Sequence, residues 1–266
     1  MDFALLGGDR RSVCLGELLK NDGHGVKFFA LEKACRCEAV TEEGLNKAQC
    51  VVLGIPSVKN GLINAPLSDE AIEADAVAGM LTPAQTLCGV FGKMPVNTKA
   101  GVFDFTKSRR FSEGNAALTA EAAVALLIEG SEGTLYNSEI LILGNGRLAK
   151  ALVTRLKGFN AAVTVGARRG ADTVSIEKAL SDIGRFDYTV NTVPARIIPD
   201  RVLRKAKRGS VIMELASAPF GFDAEKAEEA GLKVISAPAL PGRFSPLASA
   251  ELIKRSIYEY MEGVSK

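Results

Sequence analysis

The run Glu139-Ile-Leu-Ile-Leu143, followed at once by Gly144-Asn-Gly-Arg-Leu-Ala149, constrains this chain more than any other stretch. A short apolar run that ends in G-x-G-x-x-A and enters a helical pattern, here Lys150 to Leu156, reads as a buried parallel strand, a tight turn and a crossover helix. In that context Gly144 permits the turn, Gly146 lets backbone approach a pyrophosphate, and Ala149 lets helix and strand pack closely. The helix start offers unpaired N–H groups and the positive dipole end to phosphate. Gly144, Asn145, Gly146, Arg147 and Leu148 are therefore expected to hold a dinucleotide; the plainer alternative is an ordinary strand-to-helix turn.

A second strand, Ala162-Val-Thr-Val-Gly166, follows at the right distance. A site for NAD carries an Asp or Glu near this strand's end to hold the ribose 2′-OH. Here the chain reads Ala167-Arg168-Arg169-Gly170 instead. Two guanidiniums suit a 2′-phosphate, because Arg makes forked, charge-assisted bonds to phosphate oxygens. The expected cofactor is NADP, held by Ala167, Arg168 and Arg169; the other reading of the pair is a solvated surface turn.

Three later strands end in segments rich in Pro and Gly: Asn191-Thr-Val-Pro194, Glu214-Leu-Ala-Ser217 and Ala237-Pro-Ala-Leu-Pro-Gly242. In an open parallel sheet they fall on one edge, beside the nicotinamide half of a cofactor. Thr192, Val193, Pro194, Ala216, Ser217, Pro241 and Gly242 complete the expected cofactor set.

The first half of the chain repeats the pattern without the full fingerprint. Phe3 to Leu6 is a strand, Gly7-Gly-Asp-Arg10 a glycine turn, and Arg11 to Lys20 a helix. Val26 to Phe29 and Cys50 to Leu53 are further strands, and Gly54-Ile-Pro-Ser57 leaves the third at its carboxyl end. Gln85 to Phe91 is a weaker strand candidate, and Phe103-Asp-Phe105 precedes a polar turn. Leu118 to Gly130 is an Ala-rich helix started near Thr119. The expected fold is α/β, with two doubly wound parallel-sheet domains, the second a dinucleotide-binding Rossmann domain. The expected limits are 1–117 for an N-terminal substrate-side domain, 118–246 for the NADP-binding domain with its linking helix, and 247–266 for a terminal helix packing back across the junction.

Composition excludes more than it assigns. A net charge of +2 with scattered Lys and Arg gives no nucleic-acid footprint, and no apolar run reaches the ~20 residues of a membrane span. The start, Met1-Asp-Phe-Ala-Leu-Leu, has an acid where a signal peptide has a basic region, so a cytoplasmic protein with free thiols is expected at Cys14, Cys35, Cys37, Cys50 and Cys88. No metal site is expected, since His24 is the sole histidine. Its setting, Asn21-Asp-Gly-His-Gly, favours a turn role. No residue stands out as a catalytic acid or base.

The series Leu-Ile-Leu-Gly-x-Gly-Arg, Val-Gly-Ala-Arg, Val-Asn-Thr-x-Pro, Glu-Leu-Ala-Ser and Ala-Pro-x-Leu-Pro-Gly resembles the A subunit of the dipicolinate synthase family. That family also begins with a strand and Gly-Gly-Asp-x-Arg, as at Gly7 to Arg10, and has an Asn before a helix with Thr-x-Glu, as at Asn115 and Thr119-Ala-Glu121. The resemblance implies NADP-dependent oxidation of a dihydrodipicolinate-type ring to dipicolinate in spore formation, in the mother-cell cytoplasm. It also implies a partner, a flavoprotein-like B subunit. The sequence departs from the family in places. Leu-Ala-Ser-x-Pro-Gly-Gly-Thr-Asp reads here Leu215-Ala-Ser-Ala-Pro-Phe-Gly-Phe-Asp223, and a family Lys is replaced by Leu247.

A dicarboxylate substrate needs cations and N–H donors. The expected substrate residues are Gly8, Asp9, Arg10, Ser57, Asn115, Thr119 and Arg243, with Arg243 standing in for the missing Lys, in a cleft between the domains. A homo-oligomer is expected. Two other functions fit the sequence. One is a shikimate-dehydrogenase-like reductase, for which Lys59, Lys93 and Lys99 sit in no recognised pattern. The other is a non-catalytic NADP-binding sensor or scaffold.

Overall fold

The computed structural model describes residues 1–91, 97–237 and 239–263. Lys93 and Pro238 lie outside the described residues. The chain divides into two compact units, Met1–Asn115 with Gly242–Lys266, and Ala116–Pro241.

The first unit runs β1 (Asp2–Leu6), α1 (Arg10–Asn21), β2 (Gly25–Phe29), α2 (Glu42–Asn46) and β3 (Cys50–Leu53). There follow a two-stranded hairpin, β4 (Val58–Lys59) and β5 (Leu62–Ile63), then α3 (Ala74–Met80), β6 (Thr86–Gly89) and β7 (Gly101–Asp104). α4 (Arg109–Glu129) runs through the division between the units. The second unit continues with β8 (Glu139–Leu143), α5 (Arg147–Lys157), β9 (Ala162–Gly166), α6 (Ile176–Ser181), β10 (Tyr188–Asn191), α7 (Asp200–Leu203), β11 (Val211–Glu214), α8 (Ala224–Glu229) and β12 (Lys233–Ser236). α9 (Leu240–Phe244) and α10 (Pro246–Met261) close the chain.

Both main sheets are wholly parallel. Their orders are β2-β1-β3-β6-β7 and β9-β8-β10-β11-β12. Each therefore starts in the middle, steps to one side, then crosses over and fills the other. That reversal puts a switch point between β1 and β3 in the first unit and between β8 and β10 in the second, the places where such sheets bind ligands.

The inner strands β1, β3, β8, β10 and β11 are buried along almost their whole length, which is why they read as apolar runs with little alternation. In the second unit Ile140, Ile142, Val190 and Met213 face Ala120, Ala123 and Leu127 of α4 and Leu152 and Leu156 of α5. Leu141, Leu143 and Ile212 point the other way, to Ala179, Leu203 and Ala227. In the first unit Phe3, Leu5 and Val52 pack on Leu15 and Leu19 of α1 and on Ala250, Ile253 and Ile257 of α10. Lys254 and Tyr258 of α10 also bind Asp22 at 2.6 and 2.8 Å. His24 ends its turn with Nε2 2.8 Å from the Tyr258 hydroxyl.

One element begins far from its expected start. α4 starts at Arg109, not near Leu118. Ser108 Oγ accepts the Phe111 N–H at 3.2 Å, and the Phe105 and Phe111 rings pack in the core. Gly114 and Asn115 are poor helix formers, so local propensity hid the first turns and tertiary burial overrides it. Thr119 consequently lies inside the helix rather than at its start.

Candidate functional site

The turn after β8 is built around two glycines with different reasons. Gly144 has φ +109°, and a Cβ there would run into the Thr192 hydroxyl and come within 3.1 Å of Val193 Cγ2. The same Thr192 hydroxyl donates to Leu143 O at 2.7 Å, so the turn after β10 is tied to the end of β8. Gly146 has no such constraint. It is the N-cap residue of α5, with φ −81°, and a Cβ there would meet nothing within 4 Å. The protein itself does not require glycine at 146; the open space over it is what a pyrophosphate would fill. α5 has no side-chain cap and no acid in its first turn, so its leading N–H groups have no carboxylate competitor there. Ala149 is buried and lets α5 lie close to the sheet, Leu148 is half-buried, and Arg147 is exposed.

Beside this turn opens a cleft of about 680 Å³, lined by Gly144, Asn145, Ala167, Arg168, Arg169, Ile176 and Val193. Its volume falls in the range of small-molecule and cofactor sites. Arg168 and Arg169 are exposed, and neither has an ion pair among the described residues. Asn145 Nδ2 donates to Arg169 O at 3.3 Å, which holds the Arg-bearing turn against the glycine turn. The residues fit a dinucleotide: a cradle open over Gly146, helix N–H donors without a side-chain cap, and two guanidiniums at the end of β9 that have no ion pair among the described residues.

The edge after β10 and β11 holds a polar cluster that sequence reasoning treated only as motif letters. Asn191 is fully buried, and Glu214 is 5% exposed. Asn191 Nδ2 donates to both Glu214 carboxylate oxygens, at 2.8 and 3.0 Å, and to Val193 O at 3.0 Å. Glu214 Oε1 also accepts the Ala216 N–H at 2.8 Å, and Oε2 the Gly221 N–H at 2.7 Å. The signal for it was a polar residue closing each of two neighbouring buried strands. Of the expected cofactor residues here, Val193 lines the cleft, Thr192 is half-buried against Gly144, and Pro194 and Ser217 are exposed. Ala216 is half-buried with its N–H already bound to Glu214.

In the first unit the buried guanidinium is that of Arg11, which no sequence motif singled out. Arg11 is 3% exposed and forks onto Asp9, Nε to Oδ1 at 2.9 Å and Nη2 to Oδ2 at 2.8 Å. Nη2 also donates to Ile55 O at 2.7 Å, joining the turns after β1 and β3 across the switch point. Arg10, the first residue of α1, is exposed. Gly8 has φ +93°, and a Cβ there would come within 2.9 Å of the Gly54 backbone. Gly242, expected beside the cofactor, belongs to this unit; a Cβ on it would meet Asp9 Oδ2 at 2.5 Å and Arg11 Nε at 3.0 Å. Pro241 is buried at the end of the second unit. Arg243 is exposed and lies over the Phe244 ring at 5.6 Å.

Ser57 departs from its expected role as a substrate contact. It is fully buried, its hydroxyl donates to Gly54 O at 2.9 Å and accepts the Val90 N–H at 2.7 Å, so it links backbone segments. Asn115 and Thr119 lie four residues apart inside α4.

A second cavity of the second unit, about 430 Å³, includes Asp187, Lys207 and Lys233, at the amino-terminal ends of the strands. Its lysines are paired, Lys207 with Asp187 at 2.6 Å and Lys233 with Glu132 at 2.8 Å. Burial alone would raise the Asp187 carboxyl, but the Lys207 ammonium and the Glu139 N–H outweigh it and hold the group below the usual carboxylate range.

Residues 2–100 match the family of the N-terminal domain of the dipicolinate synthase A subunit. The dipicolinate synthase A subunit of Bacillus subtilis (strain 168) is 29% identical over 279 residues, 95% of this chain and 93% of its own length. The chain is thus similar to a dipicolinate synthase A subunit along nearly its whole length. The crystal structure of that subunit from Bacillus halodurans superposes with a TM-score of 0.86 at 19% identity, over 98% of this chain and 97% of the other. D-lactate dehydrogenase of Salmonella shares the fold more distantly, with a TM-score of 0.68 at 12% identity, over 100% of this chain and 96% of that one. Of the departures from the dipicolinate synthase pattern, Phe220 and Leu247 are exposed, at 51% and 53%, while Phe222, which stands where the pattern has Thr, is buried at 4%.

Proposed function

We propose that this chain is an NADP-dependent oxidoreductase like the dipicolinate synthase A subunit, oxidising a dihydrodipicolinate-type ring to dipicolinate. The observation that carries the proposal is the cleft after β8 and β9, where Gly144, Arg168 and Arg169 line one space beside the open cradle over Gly146. A bound nicotinamide dinucleotide would supply the hydride acceptor. The chain's own part is binding and orientation. The first-turn N–H groups of α5 would hold the pyrophosphate, and Arg168 with Arg169 the 2′-phosphate. Gly144, Asn145, Arg147, Leu148, Ala167 and Val193 would shape the walls.

On the substrate side Arg10 and Arg243 are the proposed carboxylate partners, with Gly8 and Asp9 shaping the turn beside Arg10. Arg11 would keep the Asp9 turn in place, since its guanidinium is bound to Asp9 and Ile55 O. A role in spore formation and a flavoprotein-like B subunit follow from the resemblance. The name of the B. subtilis relative marks that protein as one subunit of a synthase.

A second reading is a nucleotide sensor or scaffold, favoured by one observation: among the described residues, those lining the cleft include no carboxylate, histidine or lysine. Turnover of dihydrodipicolinate with NADP separates the two. Turnover by the chain, alone or with a B-type partner, supports the enzyme; tight NADP binding without turnover in either case supports the sensor.

A further inference from the structure

We infer that the buried Glu214 carboxylate is a positioning residue that biases a bound nicotinamide dinucleotide toward its oxidised form. The inference rests on the cofactor reading above and deepens it.

Glu214 closes β11 at its carboxyl end, one strand beyond β10 and two beyond the fingerprint strand β8. In a sheet of this type the adenosine half of a dinucleotide lies toward β9 and the nicotinamide half toward the strands across the switch point. Glu214 is thus on the nicotinamide side, while Arg168 and Arg169 are on the other.

Both carboxylate oxygens only accept. Their donors are Asn191 Nδ2 and the N–H groups of Ala216 and Gly221. None of these donors carries a charge, and Glu214 has no ion pair among the described residues. Neutral N–H donors can hold a buried carboxylate in its charged form, but they leave its net negative charge uncancelled. The oxidised nicotinamide ring is a cation and the reduced ring is neutral. A negative charge at this edge, poorly screened because it is buried, therefore favours the oxidised ring.

The cluster is also built to hold its geometry. Asn191 bonds Val193 on both sides, its Nδ2 donating to Val193 O and its Oδ1 accepting the Val193 N–H at 3.1 Å. Val193 lines the cleft. Gly221 admits no side chain, because a Cβ there would lie 2.6 Å from Asn191 Cγ. The carboxylate thus fixes the segment after β11 and, through Asn191, the wall of the cleft.

The test is calorimetric titration of the full chain with NADP in its oxidised and reduced forms, for the native protein, Glu214→Gln, Glu214→Met and Glu214→Asp. Glu214→Gln should shift the ratio of the two affinities by roughly threefold or more toward the reduced form. Glu214→Asp keeps the charge and should hold the ratio near the native one. Glu214→Met removes the charge without placing an amide N–H₂ against the Asn191 donor, and it stands in should the Gln variant fail to fold by circular dichroism. Neutral variants that weaken both forms equally would overturn the inference and leave the cofactor reading intact. A native chain that binds neither form would overturn both.

Discussion

The Thr192 hydroxyl occupies the space a side chain on Gly144 would need, and it donates from there to Leu143 O at 2.7 Å. Two segments 48 residues apart are thereby locked at the switch point of the second sheet. Gly144 also has φ +109°, a conformation other residues avoid. Gly144→Ala should destabilise the chain by about 1–3 kcal/mol in denaturant unfolding. A loss below about 0.5 kcal/mol, within the range of ordinary surface changes, would contradict this packing.

Gly146→Val should behave differently. No protein atom lies within 4 Å of a Cβ at 146, so the variant should fold with near-native thermal stability. Its side chain would fill the cradle, and NADP binding should be lost. Normal titration by the folded variant would remove the pyrophosphate from this site.

Asp187 binds Lys207 Nζ at 2.6 Å and the Glu139 N–H at 2.9 Å, and its carboxyl is held below the usual range. A carboxyl lowered by folding stabilises the protein above its unfolded pKa, near 3.9, and stops doing so as pH falls through the lowered folded value. Asp187→Asn should therefore cost about 0.5–1 kcal/mol at pH 7, a small figure because the pair is partly solvated. The difference from the native protein should shrink as unfolding is measured progressively below pH 4. A gap that stays constant into strong acid would rule out the ion pair as its source.

The thiols should be slow. Burial, then the neighbouring Cys37, pushes Cys35 up to about 11, and the Cys50 contact and burial raise Cys88. Only the thiolate is nucleophilic. Iodoacetamide at pH 8 should leave Cys35 and Cys88 unmodified in the folded chain and label both after denaturation. Labelling of folded Cys35 at the rate of free cysteine would contradict the burial described.

Legibility in the sequence followed burial. Strands β1, β3, β8 and β11 are buried on both faces, so their apolar runs marked them without ambiguity, and the glycine turn after β8 stood out because its spacing is set by phosphate-sized geometry. The part of α4 before Leu118 was hidden because Gly114 and Asn115 argue locally against a helix that tertiary packing imposes. The place of Arg11 was not legible because sequence gives charge but not direction; the helix turns Arg11 inward onto Asp9 and Ile55 O. Ser57 misled for the same reason, since a hydroxyl near a strand's carboxyl end can as well bond the backbone as a ligand. The Glu214–Asn191 cluster needed three dimensions, because its partners sit on adjacent strands 23 residues apart.

The central claim is that the second unit binds a dinucleotide by its 2′-phosphate through Arg168 and Arg169. The direct measurement is titration of NADP and NAD, each oxidised and reduced, against the native chain and the Arg168→Ala, Arg169→Ala double variant. Each charge-assisted contact to the phosphate is worth about 1.5–3 kcal/mol. The double variant should lose at least about tenfold in affinity for NADP in both redox forms and keep its affinity for NAD nearly unchanged. Equal loss for the two cofactors, or a native chain that prefers NAD, would contradict the account.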